Sequence, residues 1–245
     1  MSWDIGSQVP NYPFKGGIDE VKVWDYARKT FDGVTPRNNI VAPQLVAYYK
    51  FDEGTGNLAK DSSGNKFDAI IQESPEWVTG KTGSALSFSN IQKKNYVEIP
   101  AQSERKFRSE NFTLQASIKL DKTPEAGNLY PIIQKNGQYF FRFDYFGDGG
   151  GTVREYLACI IDSSHYVVVD NFAWQTGRWY DVKCTYNGRE MKIYVDGTLK
   201  KTGVLNIETP SSPTNVRVGG YTAIDGAINK FPGSIDEVKI YNYIV

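Results

Sequence analysis

Apolar and polar residues alternate with a period of two along most of the chain after residue 44, which predicts strands rather than helices. In IDEVKIYN (235–242) Val238 and Ile240 fall on one face while Glu237 and Lys239 suit a solvated one. The same phase puts Asp236 on the core side at the head of the strand, where a buried carboxylate needs a partner. In VAYYKFDEG (46–54) the charged Lys50 is in phase with Tyr48, leaving Ala47, Tyr49, Phe51 and Glu53 for the buried face. QYFFRFDYF (138–146) puts Tyr139, Phe141, Phe143 and Tyr145 in one phase and sends Arg142 and Asp144 to the other. Turn pairs such as Asn136-Gly137, Asn187-Gly188 and Asp196-Gly197 separate short strands. Only residues 100–108 predict a short helix or an irregular excursion. The pattern is that of an all-β domain.

One word occurs twice. FKGGIDEVKVWDY (14–26) and FPGSIDEVKIYNY (231–243) agree at eight of thirteen positions, 217 residues apart. That interval is the span of a domain, far longer than the unit of a solenoid or propeller. Residues 1–30 are therefore expected to be the C-terminal strand fragment of a preceding domain of the same kind, 31–44 a linker rich in Pro, Gly and Asn, and 45–245 one complete domain. A chain opening inside a domain-ending word is expected to come from a longer multidomain protein.

The two ends of the complete domain, LVAYYKFDEGTGNLAKDSSGNKFDA and IDEVKIYN, with GKTGSALSFS (80–89), NFTLQASIKL (111–120) and GRWYDVKCTYNGREMKIYVDGTL between them, resemble the laminin-G-like domains of the concanavalin A-like superfamily. The resemblance implies a two-sheet antiparallel jelly-roll sandwich with its first and last strands side by side. It leaves function open, since this fold hosts lectins, adhesion modules, hydrolases and lyases. It also implies that the loop after the first strand and the Asp at the head of the last strand meet at one rim. There Asp61, Ser63 and Asn65 of DSSGN, with Asp236 and Glu53, would supply the hard oxygen ligands of a structural calcium ion. The alternative is that Asp61 and Asp236 cap turns by accepting backbone N–H bonds.

Composition narrows the function. Lys plus Arg equals Asp plus Glu at 28 each, so no basic excess points to nucleic acid. No apolar run reaches the ~18 residues of a membrane span. Cys159 and Cys184 both sit in strand-like runs; two buried free thiols are expected, with a cross-strand disulfide as the alternative if the Cα atoms come within about 7 Å. No Glu-x-Asp-x-x-Glu string of the retaining glycosidases appears. His165 is the only histidine, which disfavours a nucleophile triad and reads as a strand-edge or turn residue. Catalysis is therefore not expected, although Tyr and Arg chemistry of the lyase kind is compatible with composition.

Binding without chemistry fits better, in a secreted or cell-surface setting. Sugar recognition needs flat aromatic faces and planar polar groups. Trp77, Tyr130, Trp174 and Tyr221 offer the first; Arg142, Asp144, Asp148 and Asn171 offer the second. The site is expected where Trp174, Arg142 and Asp144 converge, with Trp77 and Tyr221 as further candidates. Against it stands a plain packing role for each aromatic and a surface ion pair for Arg142 and Asp144. The partner expected first is carbohydrate; an adhesion contact with protein is the other reading.

Overall fold

The computed structural model describes residues 43–90, 95–101, 105–107, 110–125, 128–147, 153–170, 172–222 and 228–245. Residues Val41–Val245 form one compact unit. The repeat word at 14–26, the fragment at 1–30 and nearly all of the linker lie outside the described residues, as do Asp148 and Asn171.

Two antiparallel sheets of eight strands each carry the fold. The first sheet runs β14 (Thr198–Val204), β13 (Glu190–Val195), β12 (Trp179–Asn187), β7 (Asn111–Leu120), β18 (Gly233–Tyr241), β5 (Ser84–Ser87) and β4 (Glu76–Thr79), with β1 (Leu45–Tyr49) also paired to β18. The second runs β11 (Tyr166–Val169), β10 (Val153–Ile160), β9 (Tyr139–Gly147), β8 (Tyr130–Lys135), β15 (Val216–Val218), β6 (Tyr96–Ile99), β3 (Ala69–Gln72) and β2 (Leu58–Ala59). A separate hairpin joins β16 (Gly220–Thr222) to β17 (Ile228–Lys230). The first and last strands are neighbours, with Tyr48 opposite Lys239, as the resemblance implies. A single 3-10 turn, Arg105–Phe107, occupies the stretch where the sequence broke its alternation.

The core lies between the sheets. Leu114, Ile118, Val182, Ile193, Ile235, Val238 and Ile240 face it from the first sheet, and Val97, Ile99, Ile133, Phe141, Phe143, Leu157, Val216 and Val218 from the second. The tight turns are where the sequence put them: Asp196 and Gly197, both at positive φ, close the β13–β14 hairpin, and Gly137 turns β8 into β9.

Two expectations change. Cys159 on β10 and Cys184 on β12 are joined by a disulfide with Cα atoms 6.3 Å apart, not left as free thiols. Both cysteines are fully buried, so the bond ties one sheet to the other through the core. The second change concerns the phase of β18. Its register slips between Asp236 and Lys239, and Glu237 adopts a φ of 53°, the mark of a β-bulge. Ile235, Val238 and Ile240 all reach the core because the bulge consumes one residue. Asp236 is consequently turned to the opposite face, beside Ser117, and is buried there by other means.

Candidate functional site

The face of the second sheet that points away from the core holds the polar pair singled out in β9. Val216 and Val218 face the core, so Arg217 between them points outward. Register then sets Glu98 of β6 and Gln134 of β8 on either side of Arg217, and Phe140 of β9 beyond Gln134. Arg142, two residues on from Phe140, shares that face.

Each arginine is fixed in the same two ways. The Arg142 guanidinium lies 4.8 Å from the Phe140 ring centre and donates through Nε and Nη2 to Asp144 Oδ2 at 2.8 and 2.6 Å. The Arg217 guanidinium lies 4.6 Å from the Tyr96 ring centre and donates to Glu98 Oε1 at 3.3 Å. Stacking and ion pairing restrict both planar forks to one orientation, which lowers the entropy lost when a ligand engages them. Arg142 and Asp144 are only 15% and 10% exposed, so theirs is no ordinary surface pair. Between the arginines Gln134 is 1% exposed, and its Oε1 has no hydrogen-bond partner among the described residues. A buried acceptor without a donor costs about 1 to 3 kcal/mol, and calls for one. The row ends at its far edge in a cross-strand pair, Leu58 and Ile70, both exposed.

The aromatic candidates do not join this face. Trp174 packs on Phe143, Phe172 and Tyr180 at ring distances of 4.9, 4.4 and 5.0 Å. Phe143 points to the core and its neighbours Arg142 and Asp144 point away, so the expected convergence of Trp174 with that pair is absent. Trp77 stands opposite the core residue Leu86 and packs against the core; its Nε1 donates to the Gly56 carbonyl at 3.3 Å. Both tryptophans play the packing role that was the alternative for them. The backbone of Tyr221 pairs with Asn229 in the β16–β17 hairpin, and its side chain lies outside the described residues.

The residues expected to hold calcium serve other partners. Asp61 Oδ1 accepts from the Tyr48 and Ser63 N–H groups, and Oδ2 accepts from Phe67 N–H and the Ser63 hydroxyl, at 2.8 to 3.0 Å. Asn65 Nδ2 donates to the Leu45 and Val46 carbonyls, while its Oδ1 accepts from the Lys106 ammonium at 2.7 Å. Glu53 accepts from the Lys60 N–H, with its second oxygen buried and unpartnered. Among the described residues no three acidic, His or Cys side chains gather as a metal-holding group. With its carboxylate oxygens turned to N–H donors and an ammonium on Asn65, this donor set does not fit a common calcium cage. Asp61 and Asp236 cap backbone instead.

Asp236 organises a clasp. Its Oδ2 accepts from the Lys81 and Thr82 N–H groups at 2.9 and 3.2 Å, and Oδ1 from Glu237 N–H at 2.7 Å. A Cβ on Gly80 would come within 2.8 Å of Asp236 Oδ2, and one on Gly83, at a φ of +59°, within 2.0 Å of Asp52 Oδ1. Both glycines of GKTGS are therefore required where the turn is gripped between two carboxylates. Burial outweighs the three N–H bonds and pushes the Asp236 carboxyl up to about 6. Outside the clasp Lys81 pairs with Asp181, and the Tyr48 hydroxyl donates to Glu237; burial and Glu237 push that phenol up. Thus KFDEG, GKTGS and IDEVK, three of the words that carried the resemblance, meet at one place, and what they build there is a fastening. His165 likewise serves a turn, its Nδ1 2.8 Å from Asp162.

Comparison with known proteins places this geometry. A family model described as the concanavalin A-like lectin/glucanases superfamily (Laminin_G_3) matches residues 92–245. Domain 4 of AbnA, an extracellular arabinanase from Geobacillus stearothermophilus solved with arabinotriose, superposes with a TM-score of 0.60 at 18% identity, over 81% of this chain and 92% of that one. The sialidase of Trypanosoma rangeli superposes with a TM-score of 0.55 at 17% identity, over 82% of this chain and 31% of that one. The binding domain of botulinum neurotoxin DC, solved with rat synaptotagmin II, gives 0.57 at 16% identity, over 82% and 49%. The chain thus spans about half of the toxin domain and under a third of the sialidase. At these identities the likeness is one of fold alone. No curated protein sequence matches. On the family match and the two-sheet topology together, this chain belongs to the laminin-G-like family of the concanavalin A-like lectin/glucanases superfamily.

Proposed function

We propose that this domain is a non-catalytic carbohydrate-binding module of an extracellular protein, and that it binds sugar on the outer face of the second sheet. The observation that carries the reading is the unpartnered Gln134 Oε1 beside two arginines that are already oriented by rings and carboxylates. A saccharide hydroxyl is both donor and acceptor, so it can receive a guanidinium N–H from the face and, on displacing the side chains that cover Gln134, donate to the buried Oε1. Among the described side chains of the face Arg142 and Arg217 balance Asp144 and Glu98, which favours a neutral sugar over an anionic one. The buried inter-sheet disulfide suits an oxidising compartment. The arabinotriose held by the arabinanase domain makes arabinan the first ligand to try.

The test is affinity electrophoresis through gels cast with arabinan, xylan, glucans, mannans and pectins. Retardation by at least one polymer is expected. Arg217→Ala should weaken it by about 1 to 3 kcal/mol. Gln134→Leu should abolish the sugar contact while leaving stability unchanged or raised by up to ~1 kcal/mol, because it deletes an acceptor that folding leaves unpaired. Retardation by no polymer, with capture of a protein ligand instead, would move the domain to the adhesion class. Release of unsaturated or shortened products would make it an enzyme.

A further inference from the structure

A cavity lies away from that face, between the segments that follow β5 and β7 and the one that precedes β18. Its volume is about 400 Å³, toward the lower end of the ~300–1,000 Å³ typical of small-molecule sites. The floor is apolar: Phe88 just after β5, Tyr130 at the start of β8, and Phe231 and Pro232 before β18, all buried. Polar groups ring it. Asp121 accepts from the Ser89 hydroxyl on one side. Glu125 and Asn128, joined by the Asn128 amide on the Glu125 carbonyl at 3.5 Å, stand on another, and Asn229 of β17 on the third. The Tyr130 hydroxyl accepts the Glu125 N–H at 3.3 Å, and no acceptor for its own proton is found among the described residues. A donor at the edge of an apolar floor, facing carboxylate and amide oxygens across it, is the arrangement an amphipathic ring of hydroxyls fits.

Charge selects among such rings. Asp121 and Glu125 are matched by Lys122, which pairs with Glu125 at 3.3 Å, and by Lys230, which donates to the Asn90 carbonyl at 2.5 Å. Among the described lining residues the charges sum to zero, and both ammonium groups have partners. Size selects too: a cavity of about 400 Å³ has room for one ring, whereas a sheet face can take a chain lengthwise.

We propose that this rim cavity is a second saccharide site, one that takes a single uncharged sugar ring such as the terminal unit of a glycan. Its aromatic floor covers the ring's apolar side, and Asp121, Asn128, Asn229 and the Tyr130 hydroxyl pair with its hydroxyls. The site stands apart from the sheet face and does not rest on the reading given for it. With two sites the domain would grip a chain along its length and a chain end separately.

The experiment is a titration of the whole protein, followed by amide NMR, with the methyl glycosides of glucose, galactose, mannose, xylose and arabinose at millimolar concentration. Saturable shifts at Asp121, Asn128, Tyr130 and Asn229 are expected with at least one of them. Asp121→Ala and Asn128→Ala, both at exposed positions, should each weaken that glycoside about tenfold, while leaving polymer binding by the sheet face as it was. Arg217→Ala should do the reverse. Shifts at the sheet face alone, an unchanged affinity in both rim variants, or no saturable shift with any of the five glycosides would overturn the proposal.

Discussion

Replacing Asp236 by alanine should destabilise the fold by about 3 kcal/mol at pH 7, and by more at pH 5. Three backbone N–H groups, of Lys81, Thr82 and Glu237, lose their acceptor beneath the GKTGS turn. Each orphaned donor costs about 1 to 3 kcal/mol. Against this, the substitution relieves a buried charge. The carboxyl titrates near 6 in the folded protein, from an ordinary value of 3.8, so the folded state holds its proton more tightly than the unfolded one. A raised folded value means the contribution of Asp236 to stability is fully present below about 3.8 and is lost as pH rises through 6. The loss amounts to roughly 3 kcal/mol at 1.36 kcal/mol per pH unit. Relief is therefore nearly complete at pH 7 and only about half as large at pH 5, so the orphaned donors weigh more there. Urea unfolding of both proteins across this range checks it. A destabilisation that shrinks as pH falls would contradict the account, for it would mean a carboxylate held ionised by its N–H partners. The same melts, run with calcium and with a chelator, should superpose, since Asp61 and Asp236 are engaged by N–H donors and Asn65 Oδ1 by the Lys106 ammonium.

Reduction of Cys159–Cys184 should cost a similar amount by a different route. The bond closes a loop of 25 residues, and the loss of chain entropy it imposes on the unfolded state corresponds to about 3 kcal/mol. For a domain of this size that is a fall in melting temperature of roughly 6 to 12 °C. Both sulfurs are fully buried, so the protein must be reduced while unfolded and refolded with the thiols blocked from reoxidation. Cys159→Ala with Cys184→Ala should fall at least as far, because the truncated side chains also leave space between the sheets. Coincident melts of the oxidised and fully reduced protein would show that the sheets need no covalent tie.

The alternation of Tyr139, Phe141 and Phe143, and the turn pairs from Asn136 to Gly197, made the strands legible, because period two and positive-φ turns are local properties. The pairing of first and last strands came from resemblance, and Tyr48 opposite Lys239 agrees with it. The phase of Asp236 was not legible. A bulge at Glu237 adds one residue without any Gly or Pro to announce it, so counting by twos carried Asp236 to the wrong face. The disulfide was equally hidden, since whether strands 25 residues apart lie across the core from each other is a matter of topology. The site was half legible: Arg142 and Asp144 could be read outward from one strand, but Gln134, Arg217 and Glu98 join them only through pairings between distant strands. Arg217 in VRV and Glu98 in VEI do alternate outward in their own short strands, which is the one signal that could have found them, whereas Gln134 in YPIIQK has no such alternation. Trp174 misled because a tryptophan in a loop looks available, and here it closes the end of the core.

The most direct measurement is an NMR titration of the protein with whichever polysaccharide retards it most, read at the Gln134 side-chain amide and at the Nε–H groups of Arg142 and Arg217. The account predicts that all three shift together and saturate with one affinity, while Lys81 and Thr82 of the clasp stay still. Saturable binding that leaves these three groups unmoved would contradict the placement of the sugar on this face.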